Sequence, residues 1–193
     1  MRRREILTLA ATLPLLGQEK NLRVLVKIET EMGDILVALS GDRAPRTVEN
    51  FLRYVDEGLY NGGLFHRSVK PDNQPQSPVK IEVIQGGPNP GKKQSFPPIA
   101  LERTKLTGLK HVSGVISMAR SGPDTATGDF FFCIGDQPEL DFGGKRNPDE
   151  QGFAAFGLVL KGLDVIRKIQ QSPVTAQKLT PPVKIQRISR VDA

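Results

Sequence analysis

After residue 22, the chain begins with two short segments in which hydrophobic and polar residues alternate. Residues 24–29 (VLVKIE) and 35–39 (ILVAL) place an apolar side chain at every second position, which is the period of a β-strand with one buried face. Residues 32–34 (MGD) between them are turn formers. The pattern therefore predicts an opening β-hairpin.

A helical period follows the hairpin. Pro45 suits the first turn of a helix, where its missing N–H costs nothing. Apolar residues then recur on one face of that helix: Val48, Phe51, Leu52 and Val55. We predict an amphipathic helix of about three turns that ends at Gly58. A second helix is predicted over residues 163–170, with an inward face formed by Leu163, Ile166 and Ile169.

The other apolar runs have the length of β-strands. They are residues 80–85, 114–119, 130–134, 154–160 and 183–191. In the last run Val183 and Ile185 are out of phase with Ile188, which predicts a β-bulge. Because strands and helices do not alternate along the chain, a doubly wound parallel sheet is disfavoured. We predict a mainly all-β fold, a closed antiparallel barrel of about seven or eight strands with a helix over each end.

Length and composition agree with a single turn-rich domain. The chain has 193 residues, of which 19 are Gly and 15 are Pro, and it shows no internal repeat or dividing linker. Residues 70–78 (KPDNQPQSP) and 142–152 (FGGKRNPDEQG) are predicted to be long loops. One cysteine and two histidines exclude an intramolecular disulfide framework and disfavour a metal centre. No metal or other cofactor is expected.

The charge of the chain does not indicate a nucleic-acid partner. The net charge is +6, but the lysines and arginines are scattered and form no long basic run with interleaved aromatic residues. We interpret them as a solvated basic surface and expect no nucleic-acid binding. Nothing in the sequence requires an oligomer, so a monomer is expected.

Residues 1–20 are predicted to be an export signal. Arg2, Arg3 and Arg4 precede an apolar stretch, residues 6–16 (ILTLAATLPLL), that is too short to cross a bilayer comfortably. Residues 3–7 (RREIL) also resemble a twin-arginine signal, so either export route remains open. The predicted location is periplasmic, with no stable membrane insertion after processing. The alternatives are a basic tail on a cytoplasmic protein and an N-terminal membrane tether, since no small-residue cleavage motif precedes Gln18.

A family resemblance emerges from several motifs that occur in a fixed order. They are residues 44–51 (APRTVENF), 65–67 (FHR), 83–87 (VIQGG), 114–120 (GVISMAR), 130–133 (FFFC) and 156–157 (FG). Over residues 22–192 the chain resembles the cyclophilin family of peptidyl-prolyl cis-trans isomerases, in a bacterial form. The resemblance implies the family's closed eight-stranded antiparallel barrel capped by two α-helices, in agreement with the periodicity.

The resemblance also implies an activity and its residues. The implied enzyme accelerates rotation of X–Pro bonds during protein folding, and its partners are proline-containing unfolded or loop segments of client proteins. Arg67 matches the catalytic arginine, and Gln85 matches the glutamine that binds the substrate backbone and orients that arginine. The implied substrate-binding residues are Phe65, Val83, Met118, Ala119, Phe131, Leu140 and Phe153.

The chain departs from the family pattern around this implied site. The segment from Arg67 to Gln85 is about ten residues longer than in the family pattern, and the loop before Phe153 is about nine residues longer than in its shortest versions. Glu82, Asp129 and Glu139 replace residues that are typical of the family. We expect both insertions to border the substrate groove, the first as a surface loop that cannot form a helix and leads into a strand from Lys80, with Glu82 facing outward.

These departures leave a second functional hypothesis open. The alternative is a peptide-binding or chaperone module in which isomerase activity is vestigial. Turnover of a short proline peptide distinguishes the two, because a binding module would leave the cis-trans exchange rate unchanged.

Overall fold

The alternating segments form β-strands, and the strands close into a barrel. The computed structural model describes residues 23–191. The strands are β1 (Arg23–Thr30), β2 (Gly33–Ser40), β3 (Leu64–Val69), β4 (Val83–Gly87), β5 (Val115–Met118), β6 (Phe130–Cys133), β7 (Ala154–Lys161), β8 (Val174–Thr175) and β9 (Lys178–Val191). The helices are α1 (Pro45–Asp56), α2 (Thr104–Thr107) and α3 (Leu163–Gln170).

Eight of these strands form a closed antiparallel barrel. The order around the barrel is β1-β2-β7-β5-β6-β4-β3-β9, and pairing of β1 with β9 closes it. The two-residue strand β8 pairs only with β9. The predicted eight-stranded barrel is therefore confirmed, and closure leaves no long unpaired edge between these strands.

The two predicted helices are present, and their apolar faces are buried. Val48, Phe51 and Leu52 of α1 are at most 7% exposed. In α3, Ile166 and Ile169 are buried, whereas Leu163 is only partly buried against the core. The one-turn helix α2 was not predicted, because four residues are too few to show a helical period.

Aromatic side chains fill the barrel interior. Phe130 and Phe132 of β6 both point inward and are fully buried. The Phe130 ring packs edge-on against Phe51 of α1, with ring centroids 5.6 Å apart, and against Phe65 of β3 at 5.9 Å. The intervening Phe131 points to the outer face of the barrel, because side chains alternate along a strand.

Several β-bulges shift the register of the barrel, and those on β9 and β3 bear on the core and the candidate site. On β9, Arg187 pairs with Glu29 while Ile185 pairs with Thr30, so Gln186 is the additional residue. This bulge lets Ile185 and Ile188 both face the core, which confirms the sequence prediction. On β3, Arg67 pairs with Gln85 while Phe65 pairs with Gly86, so His66 is the additional residue there.

Several predicted boundaries differ from the structure; β9, for example, begins at Lys178 and not at residue 183. The opening turn is formed by residues 31–32, and Gly33 already pairs with Thr30. Strand β4 begins at Val83, not at Lys80. The reason is that distant side chains occupy the backbone groups just before it: Gln74 Nε2 donates to the Ile81 carbonyl at 2.7 Å, and the Glu82 N–H donates to Gln137 Oε1 at 3.1 Å.

The aromatic core predicts a large stability cost for its central ring. Replacing Phe130 with Ala should lower the free energy of unfolding by about 3–5 kcal/mol, because it leaves a cavity among aromatic rings that cannot all move inward. Urea denaturation measures this change. The control is Leu106→Ala on α2, where the side chain is 79% exposed, and its effect should stay within about 0.5 kcal/mol. Similar costs for the two variants would contradict the assigned core.

Candidate active site

A second apolar cluster lies on the outer face of the barrel, separate from the interior. It consists of Val69, Ile81, Val83, Val115, Phe131, Cys133, Leu140 and Ala155, with Leu109, Ala119 and Phe153 packed against it. Several of these residues line a groove of about 440 Å³, a volume typical of small-ligand pockets. The groove therefore has an apolar floor formed by alternate residues of neighbouring strands.

Strand register places the candidate catalytic side chains in one row across this outer face. Arg67 pairs with Gln85, Gln85 pairs with Phe131, and Phe131 pairs with Ser117. Neighbouring strands are about 4.8 Å apart. The guanidinium, the amide and the aromatic ring therefore follow one another over about 10 Å, a distance that a short extended peptide can span. Arg67, Gln85 and Phe131 all line the groove.

The bulge at His66 is what brings Arg67 to the outer face. Without an additional residue, Phe65 and Arg67 would share one face of β3, because the side-chain period of a strand is two. Instead Phe65 is fully buried in the interior while Arg67 lines the groove. Bulges beside functional sites commonly redirect a side chain in this way.

Two neutral amides hold the Arg67 guanidinium. Its Nε and Nη2 donate to Gln177 Oε1 at 2.9 and 2.6 Å, and its Nη1 donates to Gln85 Oε1 at 3.2 Å. A guanidinium has five N–H groups, so two remain for a substrate. No carboxylate of residues 23–191 forms an ion pair with Arg67. Burial lowers the pKa of Arg67 from its usual value, but an arginine remains charged at neutral pH.

Gln85 connects Arg67 to an acidic residue. While its Oε1 accepts from Arg67, its Nε2 donates to Asp129 Oδ2 at 3.2 Å. The same Asp129 oxygen lies 3.7 Å from His66 Nε2, and both of these side chains are partly exposed. This chain of contacts fixes which way the Gln85 amide faces, so its oxygen points toward Arg67.

An apolar pocket adjoins the row. The Phe131 and Phe153 rings meet edge-on at 5.3 Å, and Val83, Ala119 and Leu140 also line the groove. Arg120 lies over the Phe153 ring at 4.9 Å and forms a bidentate ion pair with Asp149. The pocket therefore offers aromatic and aliphatic walls to an apolar side chain.

The structure brings seven of the nine residues implied by the resemblance to the groove. They are Arg67, Gln85, Val83, Ala119, Phe131, Leu140 and Phe153. The side chains of Phe65 and Met118 lie instead in the barrel interior, at 0% and 1% exposure. The physical reason is that successive side chains of a strand point to opposite faces. Met118 precedes Ala119, which lines the groove, and Phe65 precedes the additional residue His66, after which Arg67 faces outward.

A buried polar network supports the pocket from behind. His111 Nδ1 lies 2.8 Å from Asp141 Oδ1, and His111 Nε2 lies 2.9 Å from Ser117 Oγ. The His111 ring stacks on Phe131, with centroids 6.0 Å apart. The order Ser-His-Asp is that of a hydrolase triad, but Ser117 is fully buried and no substrate carbonyl can reach it. The network therefore positions Phe131.

The two long insertions contact each other at the groove. Arg146 of the second insertion directs Nη1 at Gln74 Oε1, Ser77 Oγ and the Val79 carbonyl of the first, at 2.8, 2.7 and 2.7 Å. Arg146 lines the groove, which confirms that the second insertion borders it. No residue of the segment 70–78 lines the groove, and the first insertion lies behind Arg146 through the contacts of Gln74 and Ser77. The first insertion is more ordered than expected. It contains one 3₁₀ turn, Pro71–Asn73, and Gln74 is only 2% exposed.

Sequence reasoning missed several polar residues of the site, among them Gln177, Arg146 and Arg120. Gln177 and Arg146 lie in loops with no recognisable pattern, so nothing in the sequence indicates them. Arg120 is part of the motif at residues 114–120 and follows two residues that were assigned to the groove, so its place in the motif could have indicated it. Glu82 stays outside the groove, where its Oε2 accepts from Gln170 Nε2 of α3 at 3.0 Å.

The part of the chain that the structure describes contains neither a metal-binding cluster nor a membrane-spanning helix. Within residues 23–191 no cluster of three or more His, Cys, Asp or Glu side chains is arranged to hold a metal ion. No helix in the same range is long and apolar enough to cross a membrane. The predicted export signal at residues 1–20 lies outside the described residues.

Comparison with known proteins identifies the family. The model of a family described as cyclophilin type peptidyl-prolyl cis-trans isomerase/CLD matches residues 25–190. The chain is 36% identical over 147 residues to peptidyl-prolyl cis-trans isomerase B of Escherichia coli (strain K12), covering 76% of this chain and 84% of the relative. It is also 36% identical over 170 residues to peptidyl-prolyl cis-trans isomerase A of Dickeya dadantii, covering 86% and 80%.

A solved structure supports the fold independently. A cyclophilin-type isomerase from Cryptosporidium parvum superposes with a TM-score of 0.72 at 23% identity, covering 89% of this chain and 99% of that one. The chain therefore belongs to the cyclophilin-type family. By the same relationships it is an enzyme, a peptidyl-prolyl cis-trans isomerase.

The geometry around Arg67 predicts a positioning role for Gln177. Gln177→Ala should lower kcat by about three- to tenfold with little change in KM, because it removes the acceptor that holds Nε and Nη2 while leaving the pocket intact. Cis-trans exchange of an Ala-Pro peptide followed by NMR measures both constants, and the Arg67 Nε–H resonance reports the lost contact. Gln171→Ala, at an exposed position after α3, is the control. An unchanged kcat with a shifted Arg67 resonance would contradict the role.

Proposed function

We propose that Arg67 catalyses the isomerisation by stabilising the twisted form of the X–Pro bond. Amide resonance keeps this bond planar behind a barrier of about 18–20 kcal/mol, and rotation in water takes tens to hundreds of seconds. Twisting breaks the resonance and localises a lone pair on the prolyl nitrogen. A cationic N–H donor aimed at that nitrogen binds the twisted state more tightly than either planar state, and this difference lowers the barrier.

The arrangement around Arg67 supports this proposal more than any other observation does. Gln85 and Gln177 use three N–H groups of the guanidinium, so the remaining two are held in fixed directions. Because both partners are neutral, they orient the guanidinium without compensating its charge. A donor that is charged, rigid and partly shielded from water is effective at stabilising charge that develops in a transition state.

The apolar pocket complements the guanidinium. We propose that Phe131 forms the floor and Leu140 and Phe153 the walls of a site for the proline ring, with Val83 and Ala119 beside the peptide. Phe131 lies one strand beyond Gln85, so a proline ring bound on this floor would lie next to the donor. A solved relative of the same fold was crystallised in the presence of the dipeptide Ala-Pro. The buried ring also excludes water, which strengthens the contact with Arg67.

The substrates in this proposal are proline-containing unfolded or loop segments of client proteins, and the process is protein folding. Such segments are extended and accessible, as an open surface groove requires. A peptide-binding or chaperone role without turnover would use the same groove. The oriented guanidinium favours catalysis, because peptide binding alone does not require a fixed and uncompensated donor.

Removing the guanidinium should abolish most of the activity. Arg67→Ala is expected to lower kcat/KM by about 10²–10³-fold, the usual cost of losing one preorganised charged donor, with the circular dichroism spectrum unchanged. Arg67→Lys should restore only part of it, because the planar fork is lost.

The matched control for this prediction is Arg187→Ala on β9. That side chain is 60% exposed and pairs with Glu29, away from the groove. A drop of less than threefold for Arg67→Ala in a folded protein would refute the assigned mechanism and favour the binding module.

We further propose that the protein is exported and acts in the periplasm. The support is the sequence of residues 1–20, in which arginines precede an apolar stretch of signal-peptide length. In a bacterial host, the full chain should be recovered in the periplasmic fraction. If the twin-arginine route is used, the double variant Arg3→Lys, Arg4→Lys should stay in the cytoplasm. Arg2→Lys is the control. Recovery of the unaltered full chain from the cytoplasm would contradict export, and recovery from the membrane fraction would indicate a tether.

A further inference from the structure

Two arginines in the groove lack a negative partner. Arg67 and Arg146 line the same groove, one from β3 and the other from the second insertion. Within residues 23–191 no carboxylate lies within 4.0 Å of the cationic nitrogens of either one. Partly buried cations in folded proteins are usually paired, so two uncompensated guanidinium groups at one groove are unusual.

Because both guanidinium groups line one groove, their positive charges repel each other. Burial lowers the pKa of Arg146, and the positive charge of Arg67 lowers it further. Both groups stay protonated, so their repulsion remains in the unliganded protein. An anion placed at this end of the groove would relieve that repulsion and regain part of the solvation that burial removes.

The carboxylates around the groove are already engaged elsewhere. Asp129 lines the groove but accepts from Gln85 Nε2 and lies 3.7 Å from His66. Asp149 forms the bidentate pair with Arg120. Glu139 Oε2 accepts the Lys145 backbone N–H at 2.7 Å. None of them pairs with Arg67 or Arg146, so an acidic ligand would supply the missing negative charge.

Arg146 also has free donors and a fixed position. Only its Nη1 contacts the first insertion, through Gln74, Ser77 and Val79. Its Nε and Nη2 have no hydrogen-bond partner among the residues that the structure describes. Because these contacts fix Nη1, the N–H groups of Nε and Nη2 can point in only a few directions. Donors that are fixed in advance lose less entropy when they bind a ligand.

We propose that Arg146 gives the enzyme a preference for substrates with an acidic side chain next to the proline. This inference rests on the proposed function, since the proline ring must occupy the pocket beside Arg67 for its neighbour to reach Arg146. Arginine binds carboxylates through parallel N–H contacts, and these would form alongside, not instead of, the contact of Arg67 with the imide. Arg146, which the first insertion holds in place, thereby makes this side of the groove selective for acidic substrates.

The experiment compares isosteric substrates. Acetylated and amidated tetrapeptides place Glu, or its neutral isostere Gln, directly before or directly after the proline, and the blocked ends exclude terminal charges. NMR exchange measures kcat/KM without a coupling protease. The Glu peptide should be preferred over the Gln peptide by about fivefold or more at one of the two positions, and added salt should reduce this ratio. A ratio near one at both positions would overturn the proposal.

Variants separate charge from structure. Arg146→Gln should reduce the Glu/Gln ratio to about one, and Arg146→Lys should retain part of it as a point charge. Ser77→Ala removes one of the three acceptors of Arg146 Nη1 but keeps the guanidinium, so the preference for the Glu peptide should persist. Lys145→Gln makes the same charge change at the neighbouring exposed position and should leave both peptides unaffected. A preference that survives Arg146→Gln, or is lost in Lys145→Gln, would contradict the assignment.

The test also distinguishes failure of this inference from failure of the proposed function. Turnover of the Gln peptide reports the isomerase alone, whereas the Glu/Gln ratio reports the acidic preference. If neither peptide is turned over, titration of the protein by NMR with the same peptides gives their dissociation constants. Tighter binding of the Glu peptide, lost in Arg146→Gln, would still support the anion site, and equal binding would refute it.

Discussion

The redirection of Arg67 by one additional residue in β3 is the constraint on which the site depends. The His66 bulge allows Phe65 to fill the barrel while Arg67, two positions later, faces the groove. Register across β3, β4 and β6 then aligns the guanidinium with Gln85 and Phe131. Because the strands belong to a closed barrel, no single one can slide without breaking pairs on both sides. The fold thus holds a charged donor rigidly beside an apolar pocket.

The hydrogen-bond partners of Arg67 are neutral, so they orient its guanidinium without reducing its positive charge. Gln177 and Gln85 orient Arg67, and Asp129 acts on it only through Gln85. A direct carboxylate partner would have oriented the guanidinium equally well, but it would have reduced the positive charge available to the substrate. The same lack of compensation at Arg146 extends the positive character along the groove, and so connects the catalytic proposal with the proposed acidic preference.

The parts of the fold that were predictable have strong local periodicity. The opening hairpin, α1 and α3 follow from apolar spacing alone, and the β9 bulge follows from the phase change before Ile188. The start of β4 was not predictable, because Gln74 and Gln137 satisfy the backbone of residues 81–82 through contacts that no local pattern shows. The position of Arg67 required a family resemblance, since a period of two places it on the same face as Phe65. Its partner Gln177 is 110 residues away and has no sequence signal.

The most direct test of the account separates binding from catalysis at Arg67. If the guanidinium acts on the twisted imide, an Ala-Pro peptide should bind Arg67→Ala with a dissociation constant within about threefold of the original, while exchange between its bound cis and trans forms slows by about 10²-fold or more. NMR line-shape analysis of the bound peptide measures both quantities in one titration. Affinity and exchange rate falling together by the same factor would contradict the account, because Arg67 would then bind planar and twisted states equally.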